Sequence, residues 1–325
     1  MRPKVFITQP IAEAAIRQLK AVAEVSWNPD PLHILTKPEL LDAVQKCDYL
    51  FCFLHDTIDA DVLRANPGLK MVASMAITPS SIDVKTATAR RIPVTVIPPI
   101  VTEATADLHW ALLLAVARRV VEADRLLRTG VFPGAQSSYL EGAGVAGKTM
   151  GIIGCGRVGR AVARRARGFD MRLLYYDPIH LQPAEEQALA LTSTAMDRLL
   201  AEADFVSVNC AYTRETYHLI GEAELGLMKP TAYLINTSRG SVVDEKALLK
   251  ALRERRIAGA ALDVFEHEPH VDPELAALPN VVLTPHLGSA VAELREQMAL
   301  IVAENILAVI EGRRPPNCHN PEIYD

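Results

Sequence analysis

The stretch Met150-Gly151-Ile152-Ile153-Gly154-Cys155-Gly156-Arg157-Val158-Gly159 decides how this chain is read. An apolar run is followed at once by Gly154, Gly156 and Gly159 in the spacing G-x-G-x-x-G, and then by a helical pattern expected over residues 160–167. In a strand–turn–helix unit the first glycine permits a tight turn and the second lets backbone approach a pyrophosphate. The third lets helix and strand pack closely. The helix N-terminus adds free N–H groups and a positive dipole end. A glycine-rich turn alone is common, so its companion matters. Asp177 closes the apolar run Leu173-Leu174-Tyr175-Tyr176, 18 residues beyond Gly159. A carboxylate at that strand tip accepts hydrogen bonds from adenosine ribose hydroxyls. The plainer reading, a turn former before Pro178, does not account for the spacing. A carboxylate there also repels a 2′-phosphate and no Arg follows closely, so NAD is expected rather than NADP.

Working outward, strand-like runs at residues 150–153, 172–176, 205–208, 232–235, 258–262 and 281–283 alternate with helical patterns, the count of a doubly wound dinucleotide domain. Upstream, residues 5–7, 50–54, 71–76 and 94–97 read as strands, with amphipathic helices at 13–21, 38–44 and 60–65. That alternation implies a second parallel sheet flanked by helices. Pro98-Pro99 interrupts the pattern. One long helix is expected over residues 102–128, stopped by Gly130, and then an irregular Gly/Ser-rich excursion over 131–147. A last helix, 290–310, is read as returning to the first body. The expected architecture is α/β: two Rossmann-like domains with doubly wound parallel sheets. A nucleotide domain (102–289) is inserted in a discontinuous substrate domain (1–101 and 290–325).

The chain has 325 residues, half of them apolar, enough for two soluble domains. Acidic residues (39) outnumber Lys and Arg (34), which argues against nucleic acid or an anionic membrane as partner. Arg157, Arg160, Arg164, Arg165 and Arg167 crowd one helix, and in an acidic chain they read as a solvated face. No apolar run approaches the ~18 residues of a membrane span, and the N-terminus lacks a signal-peptide pattern. Cys47, Cys52, Cys155, Cys210 and Cys318 are scattered without a C-x-x-C pair, as expected of reduced thiols in a cytoplasmic protein.

Three further segments follow candidate strands: Asn236-Thr237-Ser238-Arg239-Gly240, Leu262-Asp263-Val264-Phe265-Glu266-His267-Glu268-Pro269, and Thr284-Pro285-His286-Leu287-Gly288. Ligands of open α/β sheets bind at carboxyl ends of strands, so these segments bring an Arg, a Glu and a His to one edge. A guanidinium can hold a substrate carboxylate and polarise a carbonyl through forked hydrogen bonds. An imidazolium can give a proton to the carbonyl oxygen as hydride reaches the carbon, and take it back in reverse. A neighbouring carboxylate favours and orients the protonated ring. Those are the groups that 2-keto acid reduction requires. His267-Glu268-Pro269-His270 has one residue too few for a helical H-E-x-x-H zinc pattern and is broken by Pro, so no metal is expected.

With these four ordered motifs, the chain resembles the D-isomer-specific 2-hydroxyacid dehydrogenase family over nearly its whole length. The resemblance rests on the glycine motif with Asp177, on Arg239-Gly240-Ser241-Val242-Val243-Asp244, on Leu262-Asp263-Val264-Phe265 through Glu268-Pro269, and on Pro285-His286-Leu287-Gly288. It implies an NAD-dependent oxidoreductase acting between a 2-keto and a 2-hydroxy acid. In it Arg239 binds the substrate carboxylate and carbonyl, Glu268 assists, and His286 is the acid/base. It also implies cofactor contacts at Arg157 and Val158 (pyrophosphate), Asp177 (ribose), Cys210, Ala211, Thr216, Thr237, Ser238, Arg239, Asp263, His286 and Gly288. Ala211 stands where the family usually has Pro. A homodimer formed through the long helix and the excursion after Gly130 is expected on the same ground.

The chain departs most from its family in the substrate loop. Relatives usually carry a stretch like Gly-Val-Gly-Tyr-Asp-Asn-Ile-Asp, whose second Gly offers backbone N–H groups to the substrate carboxylate. Aligned on Ile82-Asp83, this chain reads Ala76-Ile77-Thr78-Pro79-Ser80-Ser81. Thr78 resists positive φ, and Pro79 lacks an N–H. Substrate contacts are therefore expected at Leu54, Ile77 and Thr78, besides Arg239 and His286, with His55 close by. Either the loop takes another shape with the same N–H groups, or the Thr78 hydroxyl reshapes the pocket for a more polar or bulkier keto acid. Two other readings compete. A dinucleotide-sensing corepressor shares the fold but usually carries tails, of which this chain shows little. A relative acting on formate or phosphite is the other, although phosphite-oxidising relatives have a Lys where this chain has Ile77.

Overall fold

In the computed structural model, which describes residues 2–325, every strand of both sheets runs parallel to its neighbours. The chain divides into two units. One extends to Ile100 and resumes over Ala290–Asp325; the other is Val101–Ser289.

The first unit has a five-stranded sheet of β1 (Lys4–Ile7), β2 (Glu24–Trp27), β3 (Tyr49–Cys52), β4 (Met71–Ser74) and β5 (Val94–Thr95) in the order β2-β1-β3-β4-β5. β3 and β4 are buried at every position, as central parallel strands are when helices cover both faces. Helices α1 (Glu13–Val22), α2 (Lys37–Gln45), α3 (Ala60–Ala65) and α4 (Val84–Ala89) connect them. The Asp59 and Asp83 carboxylates accept backbone N–H groups at the starts of α3 and α4, satisfying donors the first helical turn leaves orphaned. The C-terminal helix Ala292–Ile310 packs on α1 and β4, so it belongs to this unit.

The second unit opens with α5 (Thr102–Ala117) and α6 (Val120–Arg128). The single helix expected over 102–128 is thus two. The break is at Arg119, whose φ is +53°, and the Ala117 carbonyl accepts Ala143 N–H (2.8 Å) from the returning excursion. The guanidinium of Arg119 pairs with Glu122 at 2.7 Å. α6 buries none of its residues.

The sheet of this unit has seven strands, one more than the six expected: β6 (Thr149–Ile153), β7 (Arg172–Tyr176), β8 (Leu191–Ser193), β9 (Phe205–Val208), β10 (Tyr233–Asn236), β11 (Gly259–Leu262) and β12 (Val281–Leu283). Their order, β12-β11-β10-β9-β6-β7-β8, is the doubly wound dinucleotide arrangement with β12 added at one edge. The winding of the sheet reverses across the β6–β9 pair, where a crevice opens at the carboxyl ends. Helix α7 (Arg157–Ala166) begins directly after Gly156, three residues earlier than expected. Four of the five arginines are engaged: Arg160 pairs with Glu185, Arg164 with Glu103, and Arg165 with Glu103 and Asp107, while Arg167, just past the helix, donates to the Ala188 carbonyl. All five cysteines are free thiols. Among the described residues no helix is long and apolar enough to cross a membrane.

Candidate active site

Gly154 follows β6 with φ +87°, and a Cβ there would fall 2.4 Å from the backbone nitrogen of Cys210. Only glycine lets this turn pass under the segment leaving β9. Gly156 is exposed with open space where a Cβ would point, and the N–H groups of α7 start beside it. Gly159 packs so closely on the turn that a Cβ would meet the Gly154 carbonyl oxygen at 2.2 Å. Asp177, at the tip of β7, accepts Cys155 N–H (2.8 Å) through one carboxylate oxygen and Ile179 N–H (2.9 Å) through the other. It therefore latches the glycine turn and also forms the turn before Pro178. Each oxygen keeps a further lone pair for a ribose hydroxyl. Thr216 accepts Thr213 N–H (2.7 Å) and donates to the Ala211 carbonyl (2.8 Å), closing the loop after Cys210 without the Pro usual at 211. The cradle fits a dinucleotide: an open glycine, a helix N-terminus and an acidic strand tip converge at the sheet's switch point.

The carboxyl ends of β10, β11 and β12 lie side by side. After β10, the Asn236 side chain accepts Ser238 N–H (3.0 Å) and donates to the Arg239 carbonyl (3.0 Å), closing a turn that presents Arg239. Gly240 lies against the next segment, since a Cβ would sit 1.9 Å from the carbonyl carbon of Phe265. After β11, Asp263 is buried. Its carboxylate accepts the Thr284 hydroxyl (2.6 Å), Leu287 N–H (2.7 Å) and Gly288 N–H (2.9 Å). Burial raises its pKa against those bonds. Asp263 thus fixes the loop carrying His286, whose own N–H donates to the Asp263 carbonyl and whose φ is +55°.

Glu268 sits in a turn closed by His270 N–H donating to the His267 carbonyl (2.8 Å). One of its oxygens accepts Phe265 N–H (3.0 Å), and the other is 2.8 Å from His286 Nδ1. Burial pushes the Glu268 pKa up, but the His286 hydrogen bond, its charge, the Phe265 N–H and Arg239 hold it below the usual carboxylate range. Burial lowers the Arg239 pKa, opposed by the charge of Glu268. Glu266, two residues away in sequence, is taken up elsewhere, 2.7 Å from His218 Nε2.

Arg239, Glu268, His286, Asp263 and Gly288 are brought to one sheet edge, with Thr237 and Ser238 beside Arg239. Leu54, Ile77 and Thr78 lie in the first unit, after β3 and β4. Thr78 is exposed, and its hydroxyl has a long contact (3.4 Å) with Ser80 Oγ. Sequence reasoning missed two groupings: His218 with Glu266, and the buried ring of His109 between Thr237 (3.2 Å) and Ser207 (3.0 Å). Neither residue belongs to a motif, so neither gave a signal.

A doubly wound sheet with a glycine cradle, an acidic strand tip and an Arg/Glu/His set at its carboxyl edge defines a nicotinamide-dependent dehydrogenase. Residues 110–288 match the model of the D-isomer specific 2-hydroxyacid dehydrogenase NAD binding domain. The chain is 47% identical to a glyoxylate reductase of Thermococcus litoralis over 99% of this chain and 98% of that protein. It is 48% identical to a glyoxylate reductase of Korarchaeum cryptofilum over 99% and 97%. A solved structure from Thermus thermophilus superposes with a TM-score of 0.88 at 41% identity, covering 97% of this chain and 99% of that one. The chain belongs to the D-isomer specific 2-hydroxyacid dehydrogenase family and is an NAD-dependent oxidoreductase.

Proposed function

We propose that the chain reduces a small 2-keto acid of the glyoxylate type, with Arg239, Glu268 and His286 carrying the chemistry. The observation that carries this reading is the 2.8 Å contact between His286 Nδ1 and an ionised Glu268 at the same sheet edge as Arg239. The guanidinium of Arg239 binds the substrate carboxylate and carbonyl oxygen. Nδ1 of His286 faces Glu268, so Nε2 delivers the proton to the carbonyl oxygen, and Glu268 stabilises the charged ring until it does. NADH, when bound, supplies the hydride. Arg157 and Val158 at the start of α7, with Gly154, Gly156 and Gly159, hold the pyrophosphate, and Asp177 holds the ribose. Cys210, Ala211, Thr216, Thr237, Ser238, Asp263 and Gly288 complete the cofactor contacts. The glyoxylate reductase names of the relatives support the substrate class.

Leu54, Ile77 and Thr78 are proposed as substrate contacts. Thr78, exposed and only weakly engaged with Ser80, favours a second reading in which a hydroxylated keto acid is preferred to glyoxylate. NADH oxidation over a panel from glyoxylate to sugar-derived keto acids separates the two. If the hydroxyl contributes, Thr78→Val raises KM for the hydroxylated acid about tenfold, the loss of one hydrogen bond. An unchanged KM with glyoxylate as best substrate leaves the first reading alone, and no turnover with any keto acid overturns both. We also propose a homodimer through α6 and the excursion after it, where Val120, Leu127, Val131 and Phe132 expose apolar surface.

A further inference from the structure

His109 is a titratable residue with 0% exposure on the face of α5 that packs against β10, β11 and β12. Nothing in the mechanism above uses it. Its Nδ1 lies 3.2 Å from Thr237 Oγ1, just past β10, and its Nε2 lies 3.0 Å from Ser207 Oγ in the adjacent β9. Ser207 Oγ in turn accepts from Asn209 Nδ2 (2.7 Å). One turn earlier on the same helix, the single proton of the Thr105 hydroxyl is shared between the Val101 carbonyl (2.9 Å) and the Gly288 carbonyl (3.2 Å) in the loop that carries His286. One helix face therefore grips two of the three catalytic loops through polar side chains, inside an otherwise apolar packing surface.

We propose that His109 is a positioning residue for Arg239: its ring holds the Thr237 hydroxyl and so sets the turn that aims the guanidinium. Thr237 is β-branched, so fixing its hydroxyl fixes χ1 and with it the local backbone. The residues that follow close on Asn236 through the Ser238 N–H and the Arg239 carbonyl, which passes the constraint on to Arg239. Burial drives the ring's pKa down to about 3, so the ring is neutral and uncharged at working pH. A neutral ring donates from one nitrogen and accepts at the other, so it can satisfy both hydroxyls at once. The other branch, through Ser207 and Asn209, reaches the segment beside Gly154 on the cofactor side.

This inference rests on the reading that Arg239 holds the substrate, and its test keeps the two apart. An amide at position 109 can replace one ring nitrogen at a time: Asn reaches the place of Nδ1, and Gln that of Nε2. His109→Gln, which loses the Thr237 bond, is expected to raise KM for the keto acid about tenfold, with the NADH dissociation constant, read by fluorescence, within about twofold of wild type. His109→Asn, which keeps that bond, is expected to bring KM back to within about twofold. If both variants raise KM equally, or neither does, the ring is only a packing residue and the proposal falls. Should the position 109 variants not fold, Thr237→Val breaks the same bond from the other side, and an unchanged KM there also overturns it. Arg239→Lys, measured alongside, reports on the underlying reading. A large KM rise in it with wild-type behaviour in His109→Gln leaves Arg239 in its role and removes only His109. Wild-type KM and kcat in Arg239→Lys remove the reading beneath.

Discussion

Glu268→Gln keeps the shape of the side chain but removes its charge and leaves one acceptor oxygen for the two donors, Phe265 N–H and His286, that the carboxylate serves. In the intact protein the carboxylate stays ionised, because the His286 contact, Phe265 N–H and Arg239 outweigh the effect of burial. A hydrogen bond between two charged groups contributes ~1.5–3 kcal/mol. The two side chains are 31% and 33% exposed, so solvent screening puts the effect at the lower end, ~1.4 kcal/mol or roughly tenfold in rate. Reduction needs the charged ring as proton donor, and the carboxylate stabilises that charge. In the variant, kcat/KM for reduction near neutrality therefore falls roughly tenfold. The assay is kcat/KM for NADH oxidation with the best keto acid. Glu266→Gln is the control. Its carboxylate is occupied by His218 at 2.7 Å, so kcat/KM stays near the wild-type value. A kcat/KM unchanged in Glu268→Gln but lowered in Glu266→Gln would refute the assignment.

The wild type is expected to prefer NADH to NADPH, and Asp177→Ala to narrow that preference while weakening NADH binding, since the latch to Cys155 N–H goes as well; equal kcat/KM for the two cofactors in the wild type contradicts this. Acid stability tests His109. Its value in the fold, about 3, lies below the ordinary histidine value of about 6.5, so the unfolded chain gains a proton the native state refuses. Stability is then lost as pH falls below ~6.5, by about 2 kcal/mol at pH ~5. Urea unfolding of His109→Asn should show a pH dependence smaller by that amount, and an equal loss in both proteins rules it out. Light scattering should return a dimer at micromolar concentration, and Phe132→Asp combined with Leu127→Asp should return a monomer.

The parts legible in the sequence share one physical cause: buried parallel strands are continuous apolar runs, and functional residues follow directly after them. β6, β10 and β11 could be read that way, and β12, an edge strand that is only partly buried, because its three residues are Val-Val-Leu; with them came Gly154, Arg239, Glu268 and His286. β2 and β8 could not. They are edge strands, four and three residues long and partly exposed, so their residues need not be apolar. α4 buries one side chain, Ala87, where α3 of the same length buries Val62 and Leu63, so no apolar helical face shows, although Asp83 at its N-cap was a signal. The break at Arg119 was invisible because Arg118 and Arg119 are ordinary helix residues, and tertiary contacts from the excursion impose the positive φ there. His109 stayed hidden for a different reason. A histidine on an apolar helix face acquires meaning only once the hydroxyls it meets, 98 and 128 residues away, are placed.

The role of His286 as proton donor for NADH-dependent reduction of a 2-keto acid is tested by pre-steady-state NADH oxidation in His286→Ala with the best keto acid, alongside NADH binding by fluorescence. The expected rate is lowered ~100-fold or more, with the NADH dissociation constant within about twofold of wild type. Oxidation at the wild-type rate, with the fold and NADH binding intact, would contradict that role.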